Sequence, residues 1–301
     1  MIMSIFNRLG RRATNDIILV GAVLDTQTDD DRFTAMKQLL DLGVKKYKNP
    51  KYVVKSSDFN IASAGAVCAL PPYNPVLYDG IQPEILFSQN GNTQYAPASV
   101  TKMVTMVTGI PYIDSLAERV TIQESDIQPG SGGDFYIGDV LTMQNLIYCT
   151  MFPSSNTCAT AFARHIGAKL LGDANASAAD CLAAFYAEMN RKASAIGCTN
   201  SVFTSADGNT DTTLTTAMDL VKIAVHACSI YELANIWNKK AYTAKIEGAN
   251  SRKRELTFTV TTKAAVADYY DVLGGKSGSG SMDGSTNWFR GLAMIAKPKA
   301  M

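Results

Sequence analysis

Sheet-forming sequence stands at both ends of this chain, and helix-forming sequence fills the middle. Residues 15 to 25 are apolar and β-branched. The stretch that follows, "TDDDRFTAMKQLLDLGVKKY", opens on acidic residues and spaces Phe33, Met36, Leu39, Leu40 and Val44 along one helical face. A Pro-, Gly- and Asn-rich region then holds two strand-like segments, "AGAVCAL" and "EILFSQ", before a helix begins near Pro97. From about Val120 to Trp237 the apolar spacing is helical, in "TMQNLIYCTMF", "NTCATAFARHIGAKLL", "AADCLAAFYAEMNRKASAIG" and "TTLTTAMDLVKIAVHAC", with Gly197 suited to end the third. The β pattern returns in "AYTAKI", "LTFTVTT", the Gly-rich "LGGKSGSGSMDGS" and "NWFRGLAMIAK". Strands supplied from both ends of a chain imply a helical lobe inserted into an α/β lobe. The expectation is a single domain over residues 1–301, with the α/β lobe from 13–108 and 240–301 and a helical lobe at 109–239.

A net charge of +1 and a pI near 7.5 give no support for a nucleic-acid partner, so small molecules or peptides are the expected ligands. The six cysteines (Cys68, Cys149, Cys158, Cys181, Cys198, Cys228) are scattered in apolar segments without C-x-x-C spacing. They read as buried thiols, and neither zinc nor another cofactor is expected. No apolar run reaches the roughly 20 residues of a membrane span. "IILVGAVL" (Ile17 to Leu24) follows Asn15 and Asp16 and reads as a strand, not as the core of an export signal. The basic "MIMSIFNRLGRR" reads as a frayed tail.

The chemistry concentrates in three short motifs. Ser99-x-x-Lys102 puts a hydroxyl and an amine on one face at a helix start, with Pro97 fitted to the first turn. A lysine acting as base near pH 7 needs its pKa, about 10.4 when free, lowered by about three units, or roughly 4 kcal/mol; burial and a second cation supply shifts of that size. Ser-x-Asn occurs at Ser88, Ser154 and Ser285, but only Ser154-Ser155-Asn156 lies in the helical region, at a break made by Pro153. Lys276-Ser277-Gly278 follows Gly274-Gly275 at the opening of a strand, where a charge and a hydroxyl can meet a carboxylate and a peptide backbone can approach. The two histidines, His165 and His226, lie on helices and read as structural.

In this order and spacing the three motifs resemble the active-site set of the penicillin-binding proteins and serine β-lactamases. "PASVTKMVT", "LTMQNLIYCTMFPSSNTCATAFARHIG" and "GCTNSVFTSADGNTDTTLTTAMDLVKIA" are similar to stretches of the low-molecular-mass D-alanyl-D-alanine carboxypeptidases. The resemblance implies a five-stranded antiparallel sheet flanked by helices, plus an all-helical lobe. It implies further that Ser99 attacks a terminal D-alanyl peptide, Lys102 takes its proton, and Ser154 relays that proton towards the leaving amine. Asn156 would orient the substrate amide and Lys102. Lys276 and Ser277, with Gly278 beside them, would hold the terminal carboxylate, Lys276 would depress the pKa of Lys102, and the N–H groups of Ser99 and Ser279 would bind the oxyanion. Peptidoglycan peptides and β-lactams are the implied partners and the cell envelope the implied location, although no export signal is legible.

After its third motif the family continues through two strands and a helix, whereas here residues 279–301 suffice for one strand. The missing strand and helix look like residues 15–47, so the chain reads as circularly permuted, the old ends joined through "KNPKYVVKSSDFN". That reading requires residues 15–25 to pair with residues 287–297. Two alternatives remain open at this point: a β-lactamase or esterase on the same scaffold, and a non-catalytic binder of cell-wall peptides. Against the first, "AEMNRK" around Glu188 does not match the Glu-x-x-Leu-Asn of class A β-lactamases. The sequence does not determine the oligomeric state.

Overall fold

All six residues of Leu19–Leu24 (β1) are buried, because the strand has a packed layer on each face. The computed structural model describes residues 17–61, 64–72, 82–132, 134–248, 253–260, 264–281 and 288–299. The basic N-terminal segment and the Ser285–Asn287 tripeptide lie outside the described residues. β1 is the middle of a five-stranded antiparallel sheet with β2 (Gly65–Leu70), β3 (Glu84–Gln89), β8 (Tyr270–Ser281) and β9 (Trp288–Pro298), in the order β3-β2-β1-β9-β8. Its partners are β2, in register from Val20↔Ala69 to Leu24↔Gly65, and β9, from Leu19↔Ala296 to Leu24↔Gly291. The pairing of the first strand with the last, which the sequence reading required, is present.

The period of two along β1 sorts its side chains. Leu19 and Val23 join a core under helix α1 (Asp29–Lys48) with Phe33, Met36, Leu39 and Leu40. Val20, Ala22 and Leu24 face the larger core, which includes α2 (Thr101–Gly109), α3 (Met143–Met151), α4 (Asn156–Leu171), α5 (Ala178–Ile196), α6 (Ala217–Ala227) and α7 (Tyr231–Trp237). α1 starts where its acids predict: Thr28 and Asp31 form a reciprocal capping box, with Asp29, Asp30 and Asp31 in the first turn and Lys45, Lys46 and Lys48 in the last.

One expectation needs correction. The region 109–239 is not all helical, since β4 (Arg119–Thr121) and β5 (Val140–Thr142) lie within it. Nor do β6 (Ala241–Glu247) and β7 (Lys253–Thr259) join the main sheet; they form a second sheet, β4-β5-β6-β7, the β5–β6 link being Val140↔Glu247. β4 and β5 escape because three-residue strands carry too little alternation to reveal a face, and the sheet that β6 and β7 join depends on their pairing with β5, which is distant in sequence. A short helix, α8 (Ala264–Ala267), leads into β8.

Candidate active site

Ser99 sits in a 3-10 turn, Ala98–Val100, that runs into α2. Ala98 is held at φ 50, a backbone conformation rare for a residue with a side chain, so the turn before Ser99 is strained. The loop at Asp207-Gly208 packs directly beneath it. A Cβ at Gly208 would stand 2.0 Å from the Ala98 carbonyl oxygen, so only glycine permits this approach. Lys102, one turn into the helix, is wholly buried; its Nζ lies 2.8 Å from Ser99 Oγ, 2.7 Å from Asn156 Oδ1 and 3.0 Å from the Asp207 carbonyl oxygen. Burial pushes the Lys102 amine down to about 8, against a smaller opposing pull from Asp207.

Pro153 interrupts the helical run between α3 and α4, but the hydroxyl that caps α4 belongs to Ser155, which accepts from the Cys158 amide at 3.1 Å. Ser154 is thereby left out of the cap. Its backbone is left-handed (φ 64), and its Oγ is buried without a hydrogen-bond partner among the described residues. Asn156 is almost fully buried and committed at both ends of its amide: Oδ1 accepts from Lys102, and Nδ2 donates to the Pro129 carbonyl at 2.7 Å.

The third motif lies on β8, at the edge of the main sheet. Lys276 is buried, and its Nζ donates to the Ser277 carbonyl at 2.6 Å; Ser277 is half-buried and Ser279 exposed. A Cβ on Gly278 would lie 2.6 Å from the Ser99 amide nitrogen and 2.8 Å from that of Val100, so the strand slides past the Ser99 turn in backbone contact. Burial drives the Lys276 amine well below its ordinary value, and the positive charges of Lys102 and Arg32 push it further. Repulsion between the two lysines therefore weighs on Lys276, whereas burial is the first cause at Lys102. A cavity of about 210 Å3 opens beside Lys276 and Ser277, walled by Phe152, Trp237 and Phe33.

Three contributors escaped the sequence reading. Arg32, buried on α1, donates from Nη1 to the Gly278 carbonyl at 2.8 Å and pairs with Asp29 at 3.2 Å, so the helix that follows β1 braces the strand carrying Lys276. Its signal was confined to its place in the amphipathic helix, on a face counted as apolar. The Asp207 carbonyl and the Pro129 carbonyl are main-chain groups, which side-chain motifs cannot reveal. The remaining candidates take other parts. Glu188 is tied to Tyr112 and Arg191, each at 2.6 Å, His165 meets Glu118 at 2.9 Å, and burial pushes the His226 imidazole down to about 4. All six cysteines are buried free thiols.

A serine hydroxyl, a buried amine of lowered pKa and a second lysine on an edge strand, brought together from two distant segments, have the chemistry that acyl transfer needs. Comparison with known proteins agrees with it. The model of the Peptidase_S11 family, D-alanyl-D-alanine carboxypeptidase, matches residues 73–287. The D-alanyl-D-alanine carboxypeptidase of Streptomyces sp. (strain K15) is 29% identical over 202 residues, covering 65% of this chain and 67% of the relative. The fold is similar to the crystal structure of the Streptomyces K15 DD-transpeptidase, with a TM-score of 0.59 and 24% identity over 72% of this chain and 86% of that one. It is also similar to a penicillin-binding protein homologue from Mycobacterium tuberculosis, with a TM-score of 0.55 and 21% identity over 74% and 80% of the two chains. Because the family match runs through most of the chain and includes Ser99, Lys102, Ser154, Asn156 and Lys276, this chain belongs to the D-alanyl-D-alanine carboxypeptidase family of serine peptidases.

Proposed function

We propose that the chain cleaves the terminal D-alanine from peptidoglycan stem peptides through an acyl-enzyme on Ser99, and that β-lactams trap the same serine. The observation that carries this reading is the buried Lys102 amine, 2.8 Å from Ser99 Oγ with a pKa lowered to about 8. At pH 7 a base of that pKa is neutral in about a tenth of molecules, against well under a thousandth for free lysine. Neutral Lys102 accepts the Ser99 proton as Oγ bonds to the peptide carbonyl carbon. The N–H groups of Ser99 and Ser279 take the oxyanion, and the close approach of Gly278 to the Ser99 amide supports that pairing. Lys102 then returns its proton through Ser154 to the departing amine, breaking the C–N bond, and water later releases the acyl group.

Lys276 and Ser277 hold the carboxylate of the leaving D-alanine in this scheme. Burial and the neighbouring cations disfavour the charged form of Lys276, and an arriving carboxylate would favour it through a charge-assisted hydrogen bond. Asn156 positions Lys102 and spends its Nδ2 on Pro129, which leaves substrate orientation to the edge of β8. The peptidase reading is favoured over a β-lactamase because the matching family model and the curated relative are D-alanyl-D-alanine carboxypeptidases. Among the described residues no helix is long and apolar enough to cross a membrane. The cell envelope is the proposed place of action, since the substrate is there.

A circular permutation accompanies this proposal. Its support is the β1–β9 ladder, together with a family match that begins only at residue 73. The function is tested by labelling with fluorescent penicillin beside Ser99→Ala, followed by D-alanine release from a diacyl-D-Ala-D-Ala peptide. Stable labelling lost in the variant, with D-alanine released by the unaltered chain, is the expected result. A label that turns over in seconds would favour the β-lactamase, and none at all would leave a binder.

A further inference from the structure

The loop from Ile127 to Gly132 does more than cover the second motif. Three of its groups close on the Ser154–Asn156 turn: the Pro129 carbonyl on Asn156 Nδ2 at 2.7 Å, the Ser131 carbonyl on the Asn156 amide at 3.1 Å, and Ser131 Oγ, donating to the Ser154 carbonyl at 3.0 Å. A fourth bond, from the Gln128 amide to Thr157 Oγ1 at 3.1 Å, fastens the start of the loop. The glycines on either side of Ser131 make the approach possible. Gly130 and Gly132 have φ 107 and 120, and a Cβ on Gly132 would lie 1.9 Å from Ser155 Cα.

Ser131 therefore grips residue 154 from both sides, through the carbonyl of 154 and the amide of 156. Ser154 needs such a grip. It holds a left-handed backbone without being glycine, and its own hydroxyl has no partner among the described residues to fix it. With no hydrogen bond on the hydroxyl, its position rests on the backbone that carries it and on the rotamer that this backbone allows. We infer that Ser131 is a positioning residue of the peptidase reaction: its hydroxyl fixes the Ser154 backbone, and through it the place from which Ser154 Oγ passes a proton to the leaving group. The inference rests on the peptidase reading.

The test is a double-mutant cycle on the full chain with Ser131→Ala, Ser154→Ala and both together, plus Ser131→Thr, which keeps the hydroxyl. D-alanine release and melting temperature are measured for each. Ser131 is exposed, so its truncation spares the fold. The expected result is a tenfold or greater fall in kcat for Ser131→Ala with KM and melting temperature nearly unchanged. Rescue to within about threefold by Ser131→Thr and no further loss when Ser131→Ala is added to Ser154→Ala complete the expected pattern. A kcat within twofold of the unaltered chain, a loss that Thr does not rescue, or full additivity in the double variant overturns the inference while leaving the peptidase reading intact. An unaltered chain that neither labels with penicillin nor releases D-alanine overturns both.

Discussion

The proposed chemistry of this site depends on one amine, Lys102, and the cause of its lowered pKa has a testable consequence. Burial is the first cause, and the ladder of acceptors around Nζ is neutral: a hydroxyl, an amide oxygen and a main-chain carbonyl. None of these stabilises the ammonium as a carboxylate would. kcat/KM should therefore rise with pH as Lys102 loses its proton, with a midpoint near 8. In Lys276→Met the limb should stay within about half a unit of that midpoint while KM rises roughly tenfold or more, the charge-assisted bond to the carboxylate being lost. A limb displaced upward by a full unit would mean that the second cation, not burial, sets the base. Stability follows the same proton. Lys102 is released from its proton earlier in the folded than in the unfolded chain, so between about 8 and 10.5 the unfolded state binds more protons and stability rises with pH through that window. The motif spacing revealed the pairing of Ser99 with Lys102, because i and i+3 share a helical face. It did not reveal that Asn156 Nδ2 is already spent on Pro129, because that partner is a carbonyl with no side-chain signature.

At the scale of elements, the site depends on how closely β8 passes the Ser99 turn. Gly278 meets only backbone there, with a virtual Cβ 2.6 Å from the Ser99 nitrogen and 2.7 Å from the Pro97 oxygen, and neither neighbour can rotate away as a side chain would. Gly278→Ala must push strand and turn apart. The expected cost is about 1–3 kcal/mol of stability. Penicillin acylation should fall more than tenfold, because the Ser99 and Ser279 amides proposed to share the oxyanion would be pushed apart. Acylation at the unaltered rate, measured by stopped-flow labelling, would mean that the oxyanion is bound elsewhere. Amphipathic α1 and the strands of the main sheet could be read because each carries its own period and caps, such as Thr28 with Asp31. β6 and β7 could be read as strands too, but not their place in a second sheet, since β5 meets β6 through Val140↔Glu247, far apart in sequence, and β4 and β5 are only three residues long.

For the molecule as a whole, the order of segments matters less than their adjacency, and the proposed permutation makes that claim measurable. β1 is not an appendage: its residues are buried on both faces, and it joins β2 to β9 in the centre of the sheet. Arg32, on the helix that follows it, reaches the Gly278 carbonyl beside Ser99. Removing residues 1–60 should therefore abolish folding, by stripping the middle strand and the cover of one core. Moving the same residues should not. Leu19 pairs with Ala296, so the start of β1 and the end of β9 lie side by side, close enough for a two-residue Asn-Gly hairpin turn. A reordered chain that begins near residue 55, passes through β9, turns into β1 and ends with α1 keeps every long-range contact and alters only which loop is open. Loop closure changes with length so slowly that the exchange costs about 1 kcal/mol or less. The reordered chain should melt cooperatively and label with fluorescent penicillin at Ser99 as the original does. If it instead fails to fold while the original order labels, the N-terminal strand and helix occupy their place for reasons of folding order, and the permutation reading is wrong.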